Sequence, residues 1–217
     1  ASELCISVYD FDGFFAGANK AMLGGMIGSF DAMLLERLQE ALSPDKFLGF
    51  THLSSLNKSA GLAQISNLNP HQPKIYNEFL LLNSNNVFHS QFKAELFSPN
   101  LEHEIFAAGE VSDINAFDFR GLKLGVLICF ELRDSRLWAK LRGCDIIMVP
   151  AMWGKAREEA YLSLCKALAI ANNCYVMISS SLDLEIAGVF LPDGTLEASA
   201  VFDANLITQI KKNLGLL

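Results

Sequence analysis

No stretch of this 217-residue chain approaches the roughly 18 consecutive apolar residues that a membrane-spanning helix needs, so no transmembrane span is read. Positive charge is also scarce. Seventeen Lys and Arg against 24 Asp and Glu leave a net charge of −7, with no basic stripe, which argues against a general nucleic-acid binder. There is no Cys-x-x-Cys pair. The five cysteines are odd in number and widely spaced, which argues against a disulfide framework or zinc site and points to a reducing, cytoplasmic setting. The opening residues lack the basic region before an apolar stretch that marks a secretory signal. No repeat, low-complexity tract or linker divides the chain, so residues 1–217 are read as a single domain.

What is present is a large apolar content, 51% of residues, enough for one sizeable core. The segment "SFDAMLLERLQEALS" has helical periodicity, with Ser29 as cap and Phe30, Leu34, Leu38 and Leu42 on one face. "KFLGFTHL" reads as a strand and residues 62–74 as an Asn- and Pro-punctuated loop. "IYNEFLLLN" and "VFHSQFKAEL" read as strands of a hairpin closed by "SNN". "KLGVLICFEL" is apolar at nearly every position, the pattern of a strand covered on both faces. A short helix capped by Ser135 and ended by Gly143 follows, then a strand in "CDIIMVPAM". Residues 155–173 form a helix with Ala160, Leu164, Leu168 and Ala171 on one face, leading to the strand "CYVMIS". Residues 187–206 read as a hairpin turning at Asp193-Gly194. Alternating β and α in the middle, with hairpins on both sides, predicts an α/β fold of mixed sheets under helices.

Cys129 stands out because it ends a buried strand and is followed at once by Glu131, Arg133 and Asp134. Strand ends are where α/β proteins place their chemistry. A thiol acting as nucleophile needs a base to take its proton and a donor to hold the oxyanion it creates. None of His52, His71, His89 and His103 falls in a Cys/His signature, so a carboxylate base and a lysine are the alternative. Cys5, Cys144, Cys165 and Cys174 read as small buried hydrophobes.

Several segments in order carry a family resemblance. "LGVLICFELRD", then "GCDIIMVPAMW", then "LSLCKALAIANNCYVMIS" resemble the nucleophile region of the nitrilase, or carbon–nitrogen hydrolase, superfamily. "QFKAELF" resembles its lysine segment and puts Lys93 at the lysine position, with Glu95 where histidine is common. "EHEIFAAGE" resembles the stretch of its second glutamate, which gives Glu102, with Glu104 as the alternative. "SELCISVY" has Glu3, Ser7 and Tyr9 at the spacing of its base-glutamate motif, with Asp10 as a second choice of base. Two residues precede Glu3 where the family has a strand and a helix, so the chain is expected to lack that first pair. The family's R-A-x-E-N in the last helix is replaced by Leu168, Ala169, Ala171 and Asn172 at the matching positions.

The resemblance implies a four-layer α-β-β-α sandwich with two mixed sheets. It implies hydrolysis of a non-peptide carbon–nitrogen bond through a Cys thioester, with Glu3, Lys93 and Cys129 catalytic and Glu102, Phe130 and Trp153 binding substrate. No metal or organic cofactor is implied. The partners implied are a small-molecule amide substrate, with no nucleic acid and no membrane, and a second copy of the chain in a homodimer. Small aliphatic amides are the expected substrates. An N-carbamoyl hydrolase and a non-catalytic relative are the alternatives.

Overall fold

The computed structural model describes residues 35–55, 74–180 and 184–217. They form two compact units, divided between Glu110 and Val111. The first contains a three-stranded antiparallel sheet of β1 (Leu48–Ser55), β2 (Ile75–Leu82) and β3 (Val87–Phe92), in that order. A helix through residues 35–41, α1, lays Leu35 and Leu38 on one face of this sheet, and Leu42 joins them against Leu48, Phe50, Leu80 and Leu82. Leu38 and Leu42 belong to the apolar stripe read from the sequence, whereas Ser29, Phe30 and Leu34 lie outside the described residues, as do residues 62–73 of the expected loop. On the other face Ile75 packs with Leu53, Ile105 and Phe106.

The β2–β3 hairpin closes as its sequence predicts, and Asn83 is the reason it closes there. Its Oδ1 accepts the backbone N–H groups of Asn85 and Asn86, both at 2.9 Å, while its own N–H donates to the Asn86 carbonyl at 2.9 Å. An asparagine side chain folded back on the two following amides is a turn that needs no glycine. Register then carries the chain to Lys93, one residue past β3.

The second unit is built on a six-stranded sheet of β4 (Phe117–Phe119), β5 (Leu122–Val126), β6 (Ile146–Pro150), β7 (Tyr175–Ser179), β8 (Ala187–Phe190) and β9 (Leu196–Glu197), in sequence order. The central β5, β6 and β7 run parallel and the flanking pairs antiparallel. Apart from Lys123 near the start of β5 and Ser179 at the end of β7, the central strands are apolar, because both their faces are covered; Val126, Ile147, Val149, Val176 and Ile178 are fully buried. Asp145 ties their starting ends together. It exchanges bonds with Lys123 (its N–H to the Lys123 carbonyl, 2.7 Å; the Lys123 N–H to its Oδ2, 2.8 Å) and accepts the Tyr175 N–H at 3.0 Å. The class is α/β, with two sheets and helices, as the sequence implies.

Four local expectations shift. The strand leading to Cys129 ends at Val126 rather than running to Leu132. The helix α3 (Ser135–Lys140) is capped by Asp134, whose Oδ1 accepts the Arg136 N–H at 2.8 Å, and not by Ser135. In α4 (Glu158–Asn172) the buried face is Tyr161, Cys165, Leu168, Ala169 and Asn172, about one position round from the expected stripe. A tyrosine and a cysteine displace the aliphatic residues because the Tyr161 hydroxyl has somewhere to go: it donates to the Val149 carbonyl at 2.8 Å. A further helix, α5 (Ala204–Asn213), takes over the end of the expected C-terminal hairpin. Asp203 caps it through the Asn205 N–H at 2.8 Å, and the 193–194 turn forms as expected with Gly194 at φ +85°.

Candidate active site

The expected site residues fall in both units. In the first, Lys93 follows β3 and its backbone is pinned on both sides. Its N–H donates to the Asn77 carbonyl at 2.8 Å and its carbonyl accepts the Gly109 N–H at 2.9 Å. Gly109 is required for that approach, since a Cβ there would lie 2.7 Å from the Phe92 Cβ and carbonyl oxygen. The Lys93 side chain is fully buried. A buried ammonium is tolerated only when paired, and its Nζ donates to Glu102 Oε2 at 2.6 Å. The same oxygen accepts the Phe97 N–H at 2.7 Å, so the carboxylate is itself fixed before it meets the lysine. Glu102 opens the short helix α2 (Glu102–Ile105). Glu104 is exposed.

In the second unit Cys129 sits just beyond β5 at the start of a tight turn, Cys129–Arg133, with φ +55°. A non-glycine residue in the left-handed region costs about 1–2 kcal/mol, and such residues concentrate at functional sites. Cys129 is partly exposed, while Cys144, Cys165 and Cys174 are buried. Burial pushes the Cys144 thiol up to about 11, and burial raises Cys165 and Cys174 further. Among the described cysteines, Cys129 is therefore the accessible one. Phe130 is half-buried beside it. Trp153, past the end of β6, is 4% exposed; its ring lies 5.6 Å from that of Tyr161 and carries the Arg133 guanidinium at 5.5 Å. Tyr161 stays protonated: burial first, then the Cys165 and Cys129 thiols, raise its hydroxyl well above the ordinary phenol range. Glu3 and Asp10, the expected bases, and Cys5 lie outside the described residues.

Two residues of this region escape a reading by pattern. Glu131 is completely buried and its Oε2 accepts the Ile128 N–H at 2.6 Å; the sequence shows only an acid near a basic neighbour. Tyr161 sits one position off the expected helix stripe, and only its aromatic character signals it. Among the described residues no cluster of three His, Cys, Asp or Glu side chains is arranged to hold a metal ion, and no helix there is long and apolar enough to cross a membrane.

A lysine pinned to a carboxylate and a thiol presented on a strained turn at a parallel strand end are parts that suit acyl transfer. Comparison with known sequences agrees: the sequence pattern of the family described as carbon–nitrogen hydrolase matches residues 3–190. The chain belongs to the carbon–nitrogen hydrolase family. Within this family, the chain is 32% identical over 118 residues to a deaminated glutathione amidase of Dictyostelium discoideum, covering 49% of this chain and 40% of the relative. It is 33% identical over 102 residues to a 2-oxoglutaramate amidase of Bacillus subtilis, covering 44% and 39% respectively. The matched stretch thus spans about two fifths of each relative's length. The carbon–nitrogen hydrolase fold is shared with the crystal structure of such a hydrolase from Helicobacter pylori, at TM-score 0.73 over 94% of this chain and 77% of that one, with 12% identity.

Proposed function

We propose that this carbon–nitrogen hydrolase cleaves small aliphatic amides through a thioester on Cys129. Glu3 takes the thiol proton, and the thiolate attacks the amide carbon. Lys93 and the Phe130 amide receive the oxyanion, and Lys93 is oriented by Glu102. The tetrahedral species collapses with loss of ammonia, which takes its proton from Glu3. Water, deprotonated by Glu3, then adds to the thioester and releases the carboxylic acid and the free thiol. Trp153 forms part of the wall that receives the substrate.

The observation that carries this reading is Cys129: a partly exposed thiol, held at φ +55° just past a parallel strand, in a chain whose other described thiols are buried. The buried Lys93–Glu102 pair supports it. The names of the relatives support amides over nitriles. An exposed Arg133, laid over Trp153 four residues after Cys129, favours amides that also carry a carboxylate, as 2-oxoglutaramate does. The protein works in the cytoplasm as a homodimer paired through residues 135–142 and 157–171. Leu168 does not contribute to that surface as the sequence suggests, because it is fully buried within its own chain; Trp138 and Leu164, both half-buried, remain.

The test is ammonia release from a panel of aliphatic amides, 2-oxoglutaramate, nitriles and N-carbamoyl compounds. Release from the amides without carbon dioxide is expected. Carbon dioxide released with ammonia would make the protein an N-carbamoyl hydrolase, and silence across the panel would make it a non-catalytic relative.

A further inference from the structure

We propose that Glu131 is a positioning residue that holds Cys129 in its strained conformation by a hydrogen bond from its carboxylate to the backbone. The inference rests on Cys129 being the nucleophile. Three features point to it. The Glu131 side chain is completely buried, which for a carboxylate requires a dedicated partner. Its Oε2 accepts the Ile128 N–H at 2.6 Å, and its own N–H donates to the Ile128 carbonyl at 3.2 Å. These two bonds join the residues on either side of Cys129 and Phe130, so the nucleophile lies inside a closed ring whose one side-chain member is Glu131.

The second feature is what Ile128 would otherwise lack. Leu127 makes the last ladder bond towards β6, to the Met148 carbonyl at 3.0 Å. Successive N–H groups along a strand point to opposite sides, so the Ile128 N–H faces the β4 side. There β4 pairs with β5 only as far as Leu124. Ile128 is 1% exposed, so water does not substitute for a strand. The Glu131 carboxylate occupies the place of the missing acceptor. Third, Cys129 needs such a ring: at φ +55° its Cβ crowds the backbone, and this conformation persists only where surrounding bonds over-determine it. The far side of the turn is braced as well, by the Asp134 N–H on the Glu131 carbonyl at 3.0 Å and the Trp138 Nε1–H on the Leu132 carbonyl at 2.9 Å.

The arrangement sets two properties of Glu131 against each other. Its acceptor oxygen fixes the thiol, while its negative charge opposes formation of a thiolate two residues away. Glu131→Gln and Glu131→Met separate them, since glutamine keeps an acceptor without the charge and methionine keeps the length without either. In the Gln variant, turnover stays within about threefold of wild type, because the acceptor to the Ile128 N–H is kept. In the Met variant kcat falls roughly 100-fold with KM little changed, the signature of lost positioning rather than lost binding. Hydrogen exchange at the Ile128 amide, which needs no substrate, speeds up in Met and not in Gln. A Met variant that turns over within threefold of wild type overturns the proposal, as does a Gln variant as impaired as Met, or unchanged exchange at Ile128 in Met. If the Met variant fails to fold, the Gln variant decides. A Cys129→Ala protein that remains active would instead remove the nucleophile assignment itself.

Discussion

Cys129 and Lys93 are each placed by a bond that a neighbour makes with the backbone, and each supports a direct experiment. At pH 8 a thiol with a pKa near 11, as Cys144 has, is thiolate in only about one molecule in a thousand. Brief treatment of the native protein with iodoacetamide should therefore label Cys129 and leave Cys144, Cys165 and Cys174 unmodified by peptide mass mapping, with turnover lost in proportion to labelling. Equal labelling of Cys144 would contradict the burial described for it. Lys93→Met keeps the length of the side chain and removes its charge. Acylation measured in a single turnover should fall roughly 100-fold or more, as on losing an oxyanion donor. Glu102 would also be left without its lysine, so a small drop in stability accompanies the kinetic one. A variant that acylates at the wild-type rate would end the catalytic role of Lys93.

Among the elements, the three-stranded sheet carries a polar cluster that makes it sensitive to acid. His52 and Glu78 are register partners across β1 and β2, 3.3 Å apart, and Ser90 on β3 donates to the same carboxylate. Burial raises the Glu78 carboxyl, but His52, through its contact and its charge, together with the Ser90 and Ser54 hydroxyls outweighs it and leaves the group below its ordinary value of 4.5. The sign follows. Stability from Glu78 is fully present above the ordinary carboxylate range and is lost as pH falls through the lowered folded value. Glu78→Gln should cost about 1.5–3 kcal/mol in urea titrations at pH 7, on the scale of hydrogen bonds to a charged group. The difference between variant and wild type should shrink steadily below pH 4.5. A gap that stays constant to pH 3 would show that the carboxylate charge contributes nothing.

At the level of the whole molecule, family membership rests on the full run of segments from Glu3 to Phe190 rather than on any one motif. Self-association is the property to measure there. Light scattering at micromolar concentration should give twice the mass of the 217-residue chain. Trp138→Glu would place a charge in the proposed contact and should shift the mass towards the monomer, although its indole N–H also braces the turn after Cys129, so turnover should be followed too. A monomeric wild type would refute pairing.

The sequence by itself determined the class and the order of the chemical parts. Apolar runs long enough for buried strands, an Asn-rich turn between β2 and β3, and Asp193-Gly194 each act locally, so their geometry is written in adjacent residues. It also determined which residues to suspect, because Lys93, Glu102, Cys129, Phe130 and Trp153 stand in a recognisable order. What only the tertiary structure decided is how they are held. The lysine's burial depends on Asn77, Gly109 and Glu102, drawn together by sheet register and loop packing rather than by spacing. The buried stripe of α4 turned by a position because a hydroxyl on Tyr161 found the Val149 carbonyl, a partner that no helical periodicity announces. The strand before Cys129 stopped early because Glu131 reached back to Ile128, and a carboxylate that reads as a surface charge became a buried backbone acceptor. Propensity acts over a few residues, whereas desolvation and hydrogen-bond satisfaction depend on whatever the fold brings alongside.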